Sequence, residues 1–197
     1  KDPSPALYVY RVQQDGDMFL GLCCCLETED YRNNNIRRHE HTRYDKEEDR
    51  TRHIEAVKAH NGPVVLLYRN NGDIYSAIEH LISGTAKPDA EVRTSAGGIH
   101  QIFCITDPAK IKETIHLFST VQSLYIADGH HRAKSAVNVA DRRREKGLPY
   151  EGEVGRFMGV VFAHDRVRIH GYSRLLTDLG TFTPEMFISR MKQYFDI

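Results

Sequence analysis

The stretch LYIADGHHRAKSA, Leu124 to Ala136, constrains the fold more than any other part of the chain. It opens as an apolar strand and closes as a helix whose stripe is Ala133, Ala136, Val137 and Ala140. Between the halves stand Asp128, Gly129, His130, His131 and Arg132. Polar groups at such a hinge are costly unless something satisfies them. A strand feeding straight into a helix also makes the class mixed α and β.

The remaining segments alternate in the same way. ALYVYRV and MFLGLCCCL are β-rich runs around Asp15-Gly16, a strong hairpin signal. ETEDYRNNN reads as a short helix or turn. The segment from Ile36 begins as a polar loop and becomes a helix from about Asp45, with Gly62 and Pro63 as its expected stop. PVVLLYR is a buried strand closed by the turn NNG, and IYSAIEHLI is an amphipathic helix. IHQIFCIT is a strand, with a brief strand expected between the loops SGTAKPD and TSAGG. Asp107-Pro108 caps a helix over PAKIKETIHLFSTV. FMGVVFAH and VRIHGYSRLL read as a hairpin around Asp165-Arg166. TPEMFISRMKQYF is a final helix capped by Thr183. There is no internal repeat.

At 197 residues and 40% hydrophobic content the chain supports one good-sized domain with a true core, taken as 1–197. No apolar run reaches membrane-spanning length, and no signal peptide is expected. The formal charge is zero, from 27 basic and 27 acidic residues, which argues against general polyanion binding. Cys23, Cys24 and Cys25 alternate faces along a strand and suit no disulfide or zinc ladder. They are expected to be buried small hydrophobes in a reducing cytoplasm.

Two polar constellations carry chemistry. At ADGHHR the helix start offers free backbone N–H groups to a phosphate or carboxylate, and Gly129 permits close approach. His130, His131 and Arg132 add donors, while Asp128 could orient a histidine, hold a metal or cap the helix. The second is RRHEHTRYDKEEDR, residues 37 to 50, where Glu40 sits between His39 and His41 among Arg37, Arg38, Arg43, Lys46 and Arg50. Cations would keep Glu40 ionised, and burial would move it toward general-base range. Thr42 could bond a phosphate or cap the helix. A solvated charged face is the bland alternative for the run. H-E-H lacks the H-E-x-x-H spacing of zincins, so no metal is assigned, although a His39–His41–His130 set stays open.

ALYVYR, GLCCCLETEDY, IRRHEHTRYDKEEDR, GPVVLLYR, LYIADGHHRAKSA and YSRLLTDL together resemble an uncharacterised bacterial and protist family catalogued as domain of unknown function 1015. Its members are roughly twice as long, which makes this chain a middle portion; the missing initial Met and the ending YFDI suit a fragment. Phe103 stands where relatives often carry tryptophan.

More distantly, the order RRHEHT, helix, PVVLLY, ADGHHR is similar to the ParB/sulfiredoxin-like superfamily, with residues 70–120 as an insertion. The free-serine kinases of that superfamily imply Glu40 as catalytic base, with Asp128 and His131 beside it. They imply Asp128, Gly129, His130, His131 and Arg132 as the phosphate loop; Thr42 and Lys46 are added as nucleotide contacts only by their nearness to Glu40 in the sequence. His39, Arg43 and Arg50 fall on the substrate side. The implied cofactor is ADP or ATP with Mg²⁺, and the implied substrate a small hydroxyl compound such as serine. A ParB-like nucleotide-responsive or DNA-associated module without catalysis is the alternative reading. Sulfiredoxin chemistry is excluded, because histidine occupies the position of its cysteine.

Overall fold

The computed structural model describes residues 3–69, 72–84, 87–171 and 173–196. Asp15 and Gly16 both take positive φ, 53° and 83°, the backbone of a two-residue hairpin turn that matches strand twist. They join β1 (Leu7–Gln14) to β2 (Asp17–Glu27), with Gln14 opposite Asp17. After α1 (Thr28–Arg32) comes β3, only Ile36–Arg37, which runs parallel to β7 where a polar loop is expected.

Helix α2 covers Tyr44–Val57 and stops at Lys58, four residues before the expected Gly62. Lys58 adopts a left-handed φ of 55° and its N–H returns to the Ile54 carbonyl, a C-terminal closure that needs no glycine. The chain then forms β4 (Val64–Tyr68), α3 (Asp73–Leu81), β5 (Ala90–Arg93), β6 (Ile99–Ile105) and α4 (Pro108–Phe118). The turn expected at NNG falls on Asn70 and Asn71, outside the described residues, as do Thr85 and Ala86 of the following loop. Asp107 accepts the N–H of Ala109 at 2.9 Å, and Pro108 needs no donor at its position.

β7 (Leu124–Asp128) leads into α5 (His130–Glu145), and β8 (Arg156–Ala163) follows. All eight strands form one mixed sheet in the order β3-β7-β4-β8-β2-β1-β6-β5. β4 and β8 are parallel, as are β3 and β7; the other pairings are antiparallel. The edge strand β5 is exposed throughout and carries Glu91 and Arg93, charges that discourage further pairing.

The expected hairpin after β8 is absent among the described residues. β8 is already flanked by β2 and β4, so no ladder is left for a returning strand. The chain instead makes a single 3₁₀ turn at His164–Arg166 and continues without strand structure. Tyr172 of that segment lies outside the described residues.

The core unites Val9, Leu20, Leu22, Leu66, Tyr68, Ile74, Ile78, Phe103 and Phe157 with the α5 stripe Ala133, Ala136 and Val137. Small alanines let α5 approach β4 and β8 closely. Cys23 and Cys24 are half-buried, but Cys25 is exposed, because it lies near the end of β2.

Contacts divide the chain into two units, Lys1–Val167 and Arg168–Ile197. The second contains α6 (Pro184–Met191), capped by Thr183, whose hydroxyl accepts the Met186 N–H. Among the described residues no helix is long and apolar enough to cross a membrane.

Candidate functional site

Gly129 ends β7 and opens α5 at φ +99°, a conformation in which a Cβ would sit 2.9 Å from Arg132 Nε. The β7–β4 pairing slips by one residue just before it, with Leu66 opposite Ile126 but Val65 opposite Asp128. That slip takes Asp128 out of the strand's alternation, as bulges beside functional sites do. Arg132, one turn into the helix, reaches back and pairs with Asp128 at 2.5 Å.

The segment between β3 and α2 crosses this hinge. Glu40 Oε2 lies 3.2 Å from His130 Nδ1; the histidine side chain is buried and Glu40 is 57% exposed. His130 Nε2 faces the backbone N–H of His39 at 3.5 Å, and the two imidazoles meet edge-on at 4.5 Å. His131 Nε2 accepts the backbone N–H of Arg43 at 3.1 Å. Burial pushes the His130 imidazole below its ordinary value, helped by His39 and His131 and opposed by the carboxylates of Glu40 and Asp128.

A cavity of about 570 Å³ opens in front of the hinge. Glu40 borders it from the loop, Asp49, Arg50 and His53 from α2, and Asn61 and Gly62 from the turn before β4. Asp128, Gly129, His130, His131 and Arg132 close it. The first-turn amides of α5 are left over by the helix itself, and its dipole is positive here.

Not every expected residue meets in this cavity. His39, Thr42, Arg43 and Lys46 do not line it. Thr42 hydrogen-bonds the buried Glu47 carboxylate, which Asn138 Nδ2 also approaches at 3.3 Å. Arg43 forks onto Asp45. Asp49, His53, Asn61 and Gly62 escaped sequence reasoning. Their only signal was the placing of Asp49 and His53 one turn apart on α2 beside Arg50, inside a charge run that also suits a solvated face.

A larger groove of about 1160 Å³ runs beside α4, past Leu22, Leu26, Ile111 and Phe118, and none of the expected site residues borders it.

The family model described as Protein of unknown function (DUF1015) matches residues 1–197. The chain belongs to this family. No curated protein and no solved structure matches the chain. The chemistry of the site in this DUF1015 protein rests on its own residues. Three carboxylates, two arginines and the α5 amides around one open cavity suit an anionic ligand that also needs a base or a cation nearby.

Proposed function

We propose that this DUF1015 protein is a nucleotide-dependent phosphotransferase acting in the cytoplasm, with a ParB/sulfiredoxin-like core. It binds ADP or ATP with Mg²⁺ and passes a phosphoryl group to a small hydroxyl substrate such as serine. One observation carries this reading: Glu40 and the Asp128–Arg132 hinge border a single cavity, although they come from distant parts of the chain.

The nucleotide phosphates rest on the α5 amides, with Gly129 allowing the approach and Arg132 and Arg50 balancing their charge. Glu40 accepts the substrate's hydroxyl proton as that oxygen bonds to the terminal phosphorus. The bond from that phosphorus to the bridging oxygen breaks, and its electron pair leaves with the shortened nucleotide. Among the described residues no three His, Cys, Asp or Glu side chains converge as a metal cage. Mg²⁺ is commonly held by one or two carboxylates plus phosphate oxygens, and Asp49 and Asp128 would serve here. When bound, the ion would offset the negative charge of the phosphates.

The alternative of a DNA-associated module draws little support from Arg142, Arg143 and Arg144, three consecutive arginines in the last turn of α5. Arg142 pairs with Glu48 and Glu55, Arg143 with the Pro149 carbonyl, and Arg144 with Glu29 and Tyr150.

Isothermal titration with ADP, ATP and pyrophosphate tests the proposal, followed by turnover assays with hydroxyl substrates. Binding of a nucleotide and transfer that depends on Glu40 are expected. If neither a nucleotide nor pyrophosphate binds, the reading fails.

A further inference from the structure

We propose that His130 and His131 are positioning residues, a latch that holds the Glu40 loop by its backbone, and that phosphate is left to Arg132, Arg50 and the α5 amides. This rests on the phosphotransferase reading for the task of Glu40, while the latch itself rests on hydrogen bonds.

A neutral imidazole has one N–H and one bare nitrogen. His131 Nε2 receives the Arg43 N–H at 3.1 Å, and His130 Nε2 faces the His39 N–H at 3.5 Å. A backbone N–H can be met only by a bare nitrogen, so in both rings the proton belongs on Nδ1. In His130 that nitrogen lies 3.2 Å from Glu40 Oε2. Both nitrogens of His130 are thereby committed, one to a backbone amide and one to the carboxylate. Its side chain is 2% exposed, and the His39 ring packs edge-on against it. A phosphate would need an imidazole N–H turned outward, and His130 has none to give.

The adjacency of the two histidines follows from the same task. Successive side chains on a helix diverge by about 100°. A His-His pair at a helix start therefore reaches two different amides of a strand-like segment crossing above it. Between those two amides the Thr42 hydroxyl binds the Glu47 carboxylate, which is itself approached by Asn138 of α5. Residues 39–43 are tied down at three successive points, and Glu40 is the member presented to the cavity.

The test begins with the unsubstituted chain, ¹⁵N-labelled and examined by imidazole two-bond correlation spectra above neutral pH. Both rings should show the Nδ1–H tautomer; an Nε2–H or doubly protonated His131 would overturn the latch. His131→Gln places an amide oxygen near the Nε2 position, whereas His131→Leu places nothing there. Amide exchange at Arg43 should accelerate about tenfold in His131→Leu and return near its original rate in His131→Gln. Pyrophosphate affinity should stay within about threefold in both variants, because the latch holds Glu40 and not the phosphate. A loss of about tenfold in pyrophosphate affinity in His131→Gln, with Arg43 protection intact, would make His131 a phosphate ligand and end the proposal. If the tautomers and exchange come out as stated but neither ADP nor pyrophosphate binds, the latch stands and the phosphotransferase reading falls.

Discussion

Glu40 Oε2 and His130 Nδ1 meet at 3.2 Å, one side chain more than half exposed and the other buried. The asymmetry matters more than the contact. A buried imidazole is fixed by its surroundings, so it can orient a carboxylate that stays open to solvent and to a cavity. The reverse arrangement, a buried carboxylate orienting an exposed imidazole, would pass the role of base to the histidine.

Replacing Glu40 with Gln keeps the size of the side chain and removes its basicity. Turnover should fall by about 10²–10⁴, the usual contribution of a general base, while ADP affinity stays within about threefold. Steady-state kinetics paired with calorimetry separates the two quantities. Unchanged turnover would remove Glu40 from the chemistry.

Gly129 is the backbone pivot of the hinge. Gly129→Ala places a Cβ 2.9 Å from Arg132 Nε at φ +99°. Either Arg132 swings away from Asp128 or the backbone shifts, at a cost of about 1–3 kcal/mol. Urea unfolding should show a lowered midpoint with an unchanged slope. A midpoint equal to the original would mean that the hinge is not under this constraint.

The features legible in the sequence are those whose chemistry lies in neighbouring residues. Asp15-Gly16, Asp107-Pro108 and Thr183-Pro184 each declare a turn or a cap locally, and the structure has all three. The supposed hairpin after β8 failed because strand pairing is decided elsewhere, by β2 and β4 having taken both edges. The inner wall of the cavity was hidden for another reason. Helix α2 buries Glu47 and Thr51 rather than an apolar stripe, so hydrophobic periodicity gives no sign of which side faces α5. Asp49 and His53 were thereby lost in what looked like a solvated charge run.

Acid should weaken the fold through its buried imidazoles. Burial depresses both His130 and His60 below their unfolded value of 6.5. The unfolded chain therefore takes up protons first as pH drops, and stability falls. This contribution is complete above about pH 6.5 and is lost as pH descends through the depressed folded values. Melting temperatures measured from neutral to mildly acidic pH should decline, and His130→Asn together with His60→Asn should flatten that decline. An equally steep profile in the double variant would assign the acid sensitivity to other groups.

The three neighbouring cysteines should not react alike. Burial pushes the Cys23 thiol up to about 11 and the Cys24 thiol up to about 12, while Cys25 is exposed on β2. Thiolate is the reactive form, so maleimide or a disulfide reagent at mildly alkaline pH should label Cys25 before the other two. Peptide mapping after partial labelling reads the order. Cys24 labelling first would contradict the packing of β2 against β8.

Arg142 stands first of three consecutive arginines, and its guanidinium bridges Glu48 and Glu55 of α2 from its place on α5. A cation held between two carboxylates has little charge left for a polyanion. Arg142→Ala should therefore lower stability by about 1 kcal/mol by loosening α2 from α5. Mobility-shift assays at low salt should show no duplex DNA retained by the original chain. A salt-sensitive shift abolished by Arg142→Ala would instead favour the DNA-associated reading, because only an available arginine produces it.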